Sequence, residues 1–154
     1  KRYTYWPQLF LGITFNYGLI LGWTSVLNEI NIIPFIFYIG AIFWTLGYDT
    51  IYGFQDIKDD EIIGLKSTSI KFKTNPYTFL KICYSIFFIC LITIAFLMDL
   101  NKFYFIFLFA VALQMYFFQI NSLNINDPKS CLKIFKSNNF LGLLVLIALL
   151  VGKF

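Results

Sequence analysis

Acidic residues are concentrated in one stretch of this chain of 154 residues. Five of the eight fall between positions 49 and 61, in the string YDTIYGFQDIKDDEIIGLKS, and they are Asp49, Asp56, Asp59, Asp60 and Glu61. Asp56 and Asp60 are four residues apart, so one helical turn places both carboxylates on the same face. Asp49 precedes Asp56 by two turns and is expected to project toward the same side. Carboxylates held this close repel each other unless a cation lies between them.

The ligand atoms in this stretch favour a hard divalent cation. Oxygen-only ligands suit Mg²⁺, which keeps several waters and joins one or two carboxylates to the phosphates of a substrate. Lys66 follows closely and is suited to neutralise phosphate charge. An EF-hand calcium loop is excluded, because the positions that require Gly and Glu hold Glu61 and Ser67 when counted from Asp56. The spacing leaves two interpretations open, a metal–phosphate site and a solvated acidic loop.

A second polar cluster, KRYTYWPQ, lies at residues 1–8. Lys1 and Arg2 followed by Tyr3, Tyr5 and Trp6 are typical of a helix anchored at a membrane interface. The alternative is an anion clamp, because Arg binds carboxylate or phosphate in a forked geometry. The residues by themselves leave both interpretations open.

Composition places the chain in a membrane. Hydrophobic residues make up 59% of it and charged residues 13%, whereas soluble domains carry about 25% charged residues. A soluble domain of ~150 residues buries only about 70% of its unfolded surface, too little to hide this much apolar area. Cys83, Cys90 and Cys131 lack the paired spacing of a disulfide framework. The absence of histidine excludes His-based metal sites, and no feature indicates a nucleic-acid partner.

Hydropathy predicts an all-α, multi-pass transmembrane bundle of about five helices, forming one integral membrane domain over residues 1–154. A spanning helix needs ~20 apolar residues, and backbone in lipid must satisfy its own hydrogen bonds, which excludes isolated strands. The apolar stretches are 9–28, 33–53, 79–98, 103–120 and 139–152, the last of which we expect to begin earlier, near Lys136. Tight turns are expected at 29–32 and 99–102, and long polar loops at 54–78 and 121–138. Asp127 and Pro128 form a helix-start signal.

The distribution of basic residues predicts the orientation. Ten of the twelve Lys and Arg residues fall in or beside the N-terminus and the two long loops, against Lys102 and Lys153 on the other side. Basic residues mark the cytoplasmic side. We therefore expect the N-terminus and the acidic loop to be cytoplasmic and the C-terminus to lie outside. Asp49 then ends an apolar span, and ionisable residues at membrane depth usually face a cavity or a partner.

Three strings carry a resemblance to a known family. They are KRYTYWPQLFLG at 1–12, YDTIYGFQDIKDDEIIGLKSTSI at 48–70 and CLKIFKSNNFLGL at 131–143. In these strings the chain resembles the UbiA superfamily of intramembrane aromatic prenyltransferases, and within it the bacterial 4-hydroxybenzoate polyprenyltransferases. The middle string is the most specific, because it resembles the family's second aspartate-rich motif, DxxxD, at Asp56 to Asp60. The family's G-[LIV]-K-S-T string follows at Gly64 to Thr68.

The resemblance implies a nine-helix fold around a central cavity, in a bacterial inner membrane. It also implies Mg²⁺-dependent transfer of a polyprenyl group from its diphosphate to the ring of 4-hydroxybenzoate, for ubiquinone biosynthesis, through ionisation of the allylic diphosphate. By position, Asp56 and Asp60 are the implied catalytic and metal-binding residues, and Arg2 is implied to hold the carboxylate of the acceptor. Further implied substrate-binding residues are Lys1, Asp49 and Lys66.

One family motif is absent from these residues. The first aspartate-rich motif, NDxxDxxxD, occurs nowhere in the sequence. We therefore expect the chain to correspond to the C-terminal portion of a larger UbiA-type domain, helices five to nine. We also expect it to be inactive without a partner that supplies the missing N-terminal half. Two alternatives are a non-enzymatic membrane protein, such as part of a transporter with a cation-binding acidic loop, and an inactive fragment.

Overall fold

The computed structural model describes residues 2–154, and over this range the fold is entirely helical, as predicted. The elements are α1 (Pro7–Phe15), α2 (Gly18–Leu27), α3 (Ile33–Gly53), α4 (Ile57–Ile62), α5 (Thr68–Lys71), α6 (Pro76–Leu97), α7 (Lys102–Leu113), a π-helical segment (Gln114–Ile120) and α8 (Pro128–Lys153). The core lies where α3 packs against α6 and α8, and where α7 packs against α8. Its largest fully buried side chains include Tyr84, Phe87, Tyr104 and Leu141.

The first apolar stretch forms two consecutive helices rather than one. Pro7 occupies the first turn of α1, where its missing N–H costs nothing. The break falls at Asn16, whose side-chain amide donates to the carbonyl of Gly12 at 2.8 Å and to the hydroxyl of Thr45 at 2.8 Å. The second bond ties the break to α3. α2 then ends at Asn28, which adopts a left-handed conformation with φ of 53°, a common end for a helix.

Helix α3 lies at the centre of the bundle and contacts α1, α2, α5, α6 and α8. Its C-terminal half carries the buried residues Thr45, Leu46, Thr50 and Ile51, which mix polar and apolar side chains. The expected polar loop after α3 contains two short helices, α4 and α5. Gly64 separates them with φ of +71°, a conformation that glycine adopts without steric cost.

The last helix begins much earlier than expected. α8 starts at Pro128, so the prediction of a loop over the whole of 121–138 was wrong beyond Asp127. The start signal itself is confirmed, because the Asp127 carboxylate accepts a hydrogen bond from the backbone N–H of Lys129 at 3.0 Å. Hydropathy missed the first turns of α8 because they carry lysines, serine and asparagine.

Four helical stretches of the described chain are long and apolar enough to cross a membrane. They are Pro7–Leu27, Pro76–Leu97, Lys102–Ile120 and Pro128–Lys153. The remaining predicted span, 33–53, corresponds to α3, which has 21 residues. It is not among the four, because the polar residues of its C-terminal half, Thr45, Tyr48, Asp49 and Thr50, lower its mean hydropathy. The chain is a membrane protein with a multi-pass helical bundle, and its most central helix contains no stretch as apolar as those of the four.

Candidate functional site

Four buried residues join the N-terminal string, the end of α3 and the start of α5. The side-chain oxygens of Thr50 and Thr68 lie 2.6 Å apart, and the hydroxyl of Ser69 donates to the carbonyl of Thr50 at 2.8 Å. The backbone N–H of Thr68 donates to the side-chain oxygen of Gln8 at 3.1 Å. Gln8 is 3% exposed and the other three are fully buried. We call Gln8, Thr50, Thr68 and Ser69 the polar anchor.

Gly53 permits the close approach of α5 to α3. A methyl group at this position would stand 2.3 Å from the hydroxyl oxygen of Ser69 and 3.3 Å from its Cβ. Both distances are shorter than an ordinary van der Waals contact, so a side chain here would displace the hydroxyl of Ser69 and crowd α5 against α3. The glycine therefore fixes the position of the segment that follows the acidic stretch.

The acidic turn, residues 56–60, lies in the chain between the end of α3 and the start of α5. Asp56 occupies the N-cap position of α4 without a capping bond from its side chain. The backbone N–H of Asp60 donates to the carbonyl of Asp56 at 2.9 Å, so the predicted helical turn is present. The two side chains differ in environment, because Asp56 is exposed while Asp60 is 6% exposed. Asp49 is half-buried near the end of α3. Glu61, which follows the turn, forms an ion pair with Lys73.

Basic and aromatic side chains bring the N-terminal string against the G-L-K-S-T string. The ammonium of Lys66 lies 5.6 Å from the ring centre of Tyr5, and that of Lys71 lies 4.3 Å from the ring centre of Trp6. Both distances are those of cation–π contacts. Arg2 is exposed in the segment that leads into α1. Lys1 lies outside the described residues.

The acidic turn does not build a metal cage from protein ligands. Among residues 2–154, no group of three or more His, Cys, Asp or Glu side chains is arranged to hold a metal ion. Mg²⁺ does not require such a cage, because it usually binds one or two carboxylates and completes its shell with water and substrate phosphates. The oxygen donors of Asp56 and Asp60, one helical turn apart, fit that mode of binding.

The third string, on α8, packs against the same part of α3. The ring of Phe135 lies 4.7 Å from that of Tyr52 and 5.7 Å from that of Tyr48. The indole N–H of Trp44 donates to the side-chain oxygen of Asn138 at 2.9 Å. All three strings of the resemblance therefore meet around the C-terminal half of α3.

Three cavities follow one another along α8. The polar cavity, of about 270 Å³, is lined by residues that include Asn16, Thr45, Tyr48, Lys136 and Asn139. The apolar cavity, of about 260 Å³, shares Asn16 and Trp44 with it and is otherwise lined by residues such as Phe37, Val145 and Leu146. An outer groove of about 810 Å³ shares Leu149 with the apolar cavity and reaches Phe154 at the end of the chain. The lining becomes more apolar from the first cavity to the second, and the outer groove is mostly apolar apart from Asp99 and Lys153.

Sequence reasoning did not single out the residues that organise this region. Gln8, Thr50, Thr68 and Asn138 join the three strings, yet none of them is charged. A usable signal was present, because amide and hydroxyl side chains within apolar helices must find partners away from water. Asn138, Gln114 and Gln119 are such amides in segments that otherwise read as apolar.

The fold and this region define a multi-pass helical membrane protein with a polar site at one end of the bundle and a series of cavities along α8. The chain belongs to the UbiA prenyltransferase family, whose profile matches residues 1–148. No solved structure matches the chain.

Similar proteins refine the comparison. The mitochondrial 4-hydroxybenzoate polyprenyltransferase of Bos taurus is 40% identical, over 99% of this chain and 41% of that protein. The corresponding Homo sapiens protein is 38% identical, over 99% of this chain and 41% of that protein. The 4-hydroxybenzoate geranyltransferase 2 of Lithospermum erythrorhizon is 36% identical, over 99% of this chain and 50% of that protein. The chain therefore spans two fifths to one half of their length, and these eukaryotic relatives lend no support to a bacterial inner membrane.

Proposed function

We propose that this chain forms part of the site of a prenyltransferase that moves a polyprenyl group from its diphosphate to the ring of 4-hydroxybenzoate, in ubiquinone biosynthesis. The convergence of the three strings on the end of α3 carries the proposal, since it places the acidic turn, Lys66 and the N-terminal string in one region. The names of the similar proteins, 4-hydroxybenzoate polyprenyltransferases, support this choice of substrates. Family membership favours it over a transporter or another non-enzymatic membrane protein.

In this proposal the acidic turn holds the diphosphate end of the donor. Asp56 and Asp60 are the metal-binding and catalytic residues, with Asp60 oriented by its buried position and Asp56 open to the surroundings. Mg²⁺ held by Asp56 and Asp60 would supply positive charge that stabilises the leaving diphosphate. Lys66 adds a further positive charge near the phosphates, and Asp49 supports the same region from α3.

The acceptor binds on the side of the N-terminal string. The guanidinium of Arg2 is exposed and free to turn toward a planar carboxylate, for which its forked donors are suited. Lys1 adds positive charge for the same anion. The isoprenoid tail of the donor runs from the polar cavity through the apolar cavity into the mostly apolar outer groove.

A further aspartate-rich segment completes the site in this proposal. The string NDxxDxxxD is absent from these 154 residues, so the acidic turn supplies only one of the family's two aspartate-rich motifs. We propose that helices corresponding to the rest of the relatives supply the second set. The acidic turn then lies on the positively charged side of the membrane, where ten of the twelve Lys and Arg residues are found.

The test is a prenyl-transfer assay with Mg²⁺, polyprenyl diphosphate and 4-hydroxybenzoate. The chain is reconstituted in nanodiscs either alone or together with a co-expressed polypeptide that bears the NDxxDxxxD motif. We expect prenylated 4-hydroxybenzoate from the mixture and none from either part alone. An acceptor panel that includes homogentisate tests the substrate, and 4-hydroxybenzoate is expected to react fastest.

The outcomes separate the parts of the proposal. Activity of the chain alone would contradict the need for a second aspartate-rich segment. Equal rates with homogentisate would contradict the acceptor. Absence of product from the mixture, with both parts folded and inserted, would contradict the proposed activity.

A further inference from the structure

A chain of hydrogen bonds crosses the membrane-embedded core and ends at Trp44. The hydroxyl of Tyr84 on α6 donates to the side-chain oxygen of Gln119 at 2.6 Å. The amide nitrogen of Gln119 donates to the side-chain oxygen of Asn138 on α8 at 3.1 Å, and the indole N–H of Trp44 on α3 donates to the same oxygen at 2.9 Å. We call Tyr84, Gln119 and Asn138 the relay. Tyr84 and Gln119 are fully buried and Asn138 is 7% exposed.

The π-helical segment makes this arrangement possible. Gln114 and Gln119 are five residues apart, and both side-chain amides donate to the hydroxyl oxygen of Ser137, at 3.3 and 3.2 Å. Residues five apart point about 140° away from each other in an α-helix. The wider π-helix, with its i→i+5 bonding, brings them to one face, and such segments are frequent at functional sites. The distortion thus directs two amides at α8 rather than one.

Trp44 occupies the boundary between two of the cavities. It lines both the polar and the apolar cavity, together with Asn16. Its indole stacks on Phe87 with ring centres 5.2 Å apart, and an added methyl at Gly142 of α8 would stand 3.3 Å from its outer edge. The indole is therefore held from three directions, by Phe87, by Asn138 and by the backbone of α8.

We propose that Trp44 is a specificity-determining residue for the isoprenoid tail, and that the relay residues Tyr84, Gln119 and Asn138 are positioning residues that hold its indole at the boundary. This inference rests on the proposed function. A chain that enters the apolar cavity from the polar cavity passes Trp44, so the position of the indole sets which chains fit. The relay fixes that position because the partly buried indole N–H of Trp44 has its acceptor in Asn138, and an N–H inside the bundle that loses its acceptor is costly.

The experiment uses the chain co-expressed with the polypeptide that bears the NDxxDxxxD motif, in nanodiscs with Mg²⁺. It measures the affinity of this mixture for geranyl, farnesyl and geranylgeranyl thiolodiphosphate, which do not ionise readily, and for inorganic pyrophosphate. Trp44→Phe, Asn138→Leu and Tyr84→Phe are compared with the wild-type chain. We expect the ratio of affinities between the longest and the shortest chain to change by about tenfold, the discrimination that an apolar pocket exerts over a small change in its ligand. Pyrophosphate affinity should stay within about twofold, because the acidic turn is untouched.

Matched controls separate positioning from general damage. Tyr77→Phe removes a hydroxyl that bonds the backbone of Leu123 outside the relay, and Asn121→Leu removes an exposed amide. Neither should alter the ratio. Fluorescence of Trp44, in a chain with Trp6→Phe and Trp23→Phe, gives a second readout. Its emission should shift in Tyr84→Phe, which removes a hydroxyl that bonds Gln119 rather than the indole, and stay constant in Tyr77→Phe.

Each result decides the inference. A changed ratio and a shifted emission in the relay variants, with neither in the controls, supports it, and Tyr84→Phe provides this result even if Asn138→Leu does not fold. An unchanged ratio in all three variants overturns it and leaves the proposed function standing. If the mixture that contains the wild-type chain binds pyrophosphate but no prenyl thiolodiphosphate, or binds neither, the proposed function fails and this inference fails with it.

Discussion

The polar anchor and the acidic turn are neighbours that differ in how their polar groups are satisfied. In the anchor, buried groups of the chain bond one another at 2.6 to 3.1 Å. In the acidic turn, Asp56, Lys58 and Asp59 are exposed while Asp60 is turned inward. The anchor is complete within the chain and behaves as a scaffold. The turn presents charge to its surroundings, as a site that receives a ligand must. The difference predicts that changes in the turn alter function, whereas changes in the anchor alter stability.

The largest expected effect is on catalysis by the acidic turn. Asp60→Asn and Asp56→Asn should each lower the rate of prenyl transfer in the active mixture by about 100-fold or more, because stabilisation of the leaving group's charge is lost. The melting temperature in detergent should change little for Asp56→Asn. Asp59→Asn, an exposed carboxylate on the same turn, serves as the control and should keep most of the activity. Full activity in both site variants would contradict the claim that the acidic turn carries the function.

A change at Gly53 should give the largest effect on stability. Gly53→Ala places a methyl group 2.3 Å from the hydroxyl of Ser69, which must move and lose its bond to Thr50. Overpacking of this kind costs about 1–3 kcal/mol. Thermal unfolding followed by circular dichroism measures the cost. Gly22→Ala, where no atom lies within 4 Å of the added methyl, should be neutral or slightly stabilising. Equal melting points for the two variants would show that α5 is not held as described.

The threonine pair in the anchor allows a finer test. Thr50 donates its hydroxyl hydrogen to the carbonyl of Leu46 at 2.6 Å, so Thr68 must be the donor in the bond between the two hydroxyls. Thr68→Val removes that donor and should cost about 1 kcal/mol, while Thr50→Val also strands the buried hydroxyl of Thr68 and should cost about 1–3 kcal/mol. Thr24→Val, whose hydroxyl bonds only its own helix, is the control. The reverse order of the two variants would refute the assignment of the donor.

The smallest effect is expected at the ion pair beside the turn. Lys73 and Glu61 are both well exposed, at 52% and 39% of their side-chain surfaces. Solvent screens such pairs, which contribute about 0–1 kcal/mol. Lys73→Ala should therefore leave both the melting temperature and prenyl transfer nearly unchanged. A loss of activity comparable to that of Asp60→Asn would show that this ion pair belongs to the functional site.

The acidic turn was predictable from the sequence because its signal is local. The spacing of Asp56 and Asp60 and the Asp127–Pro128 start of α8 depend on residues a few positions apart. The all-helical membrane fold followed equally directly from composition and hydropathy. The membrane status of α3 was harder to judge, because its apolar and polar halves average to an intermediate hydropathy.

The polar anchor and the relay were not predictable in the same way. Gln8 and Thr68 are sixty residues apart, and Trp44 and Asn138 are ninety-four apart, so no local pattern links them. The π-helical segment has no marker comparable to proline or glycine, and Gln114 and Gln119 read as isolated polar residues. These contacts become visible once the packing of α3 against α6 and α8 is known.

The central claim is that Asp56 and Asp60 together receive a metal–diphosphate ligand. Binding of Mn²⁺, as a spectroscopic substitute for Mg²⁺, is measured by electron paramagnetic resonance in the chain in nanodiscs, with and without inorganic pyrophosphate. We expect pyrophosphate to strengthen Mn²⁺ binding to the chain. Asp56→Asn and Asp60→Asn should each weaken Mn²⁺ binding by about tenfold or more, because each removes a carboxylate that binds the metal. Asp59→Asn should bind like the wild-type chain. Identical binding by all three variants, or no effect of pyrophosphate, would contradict the account.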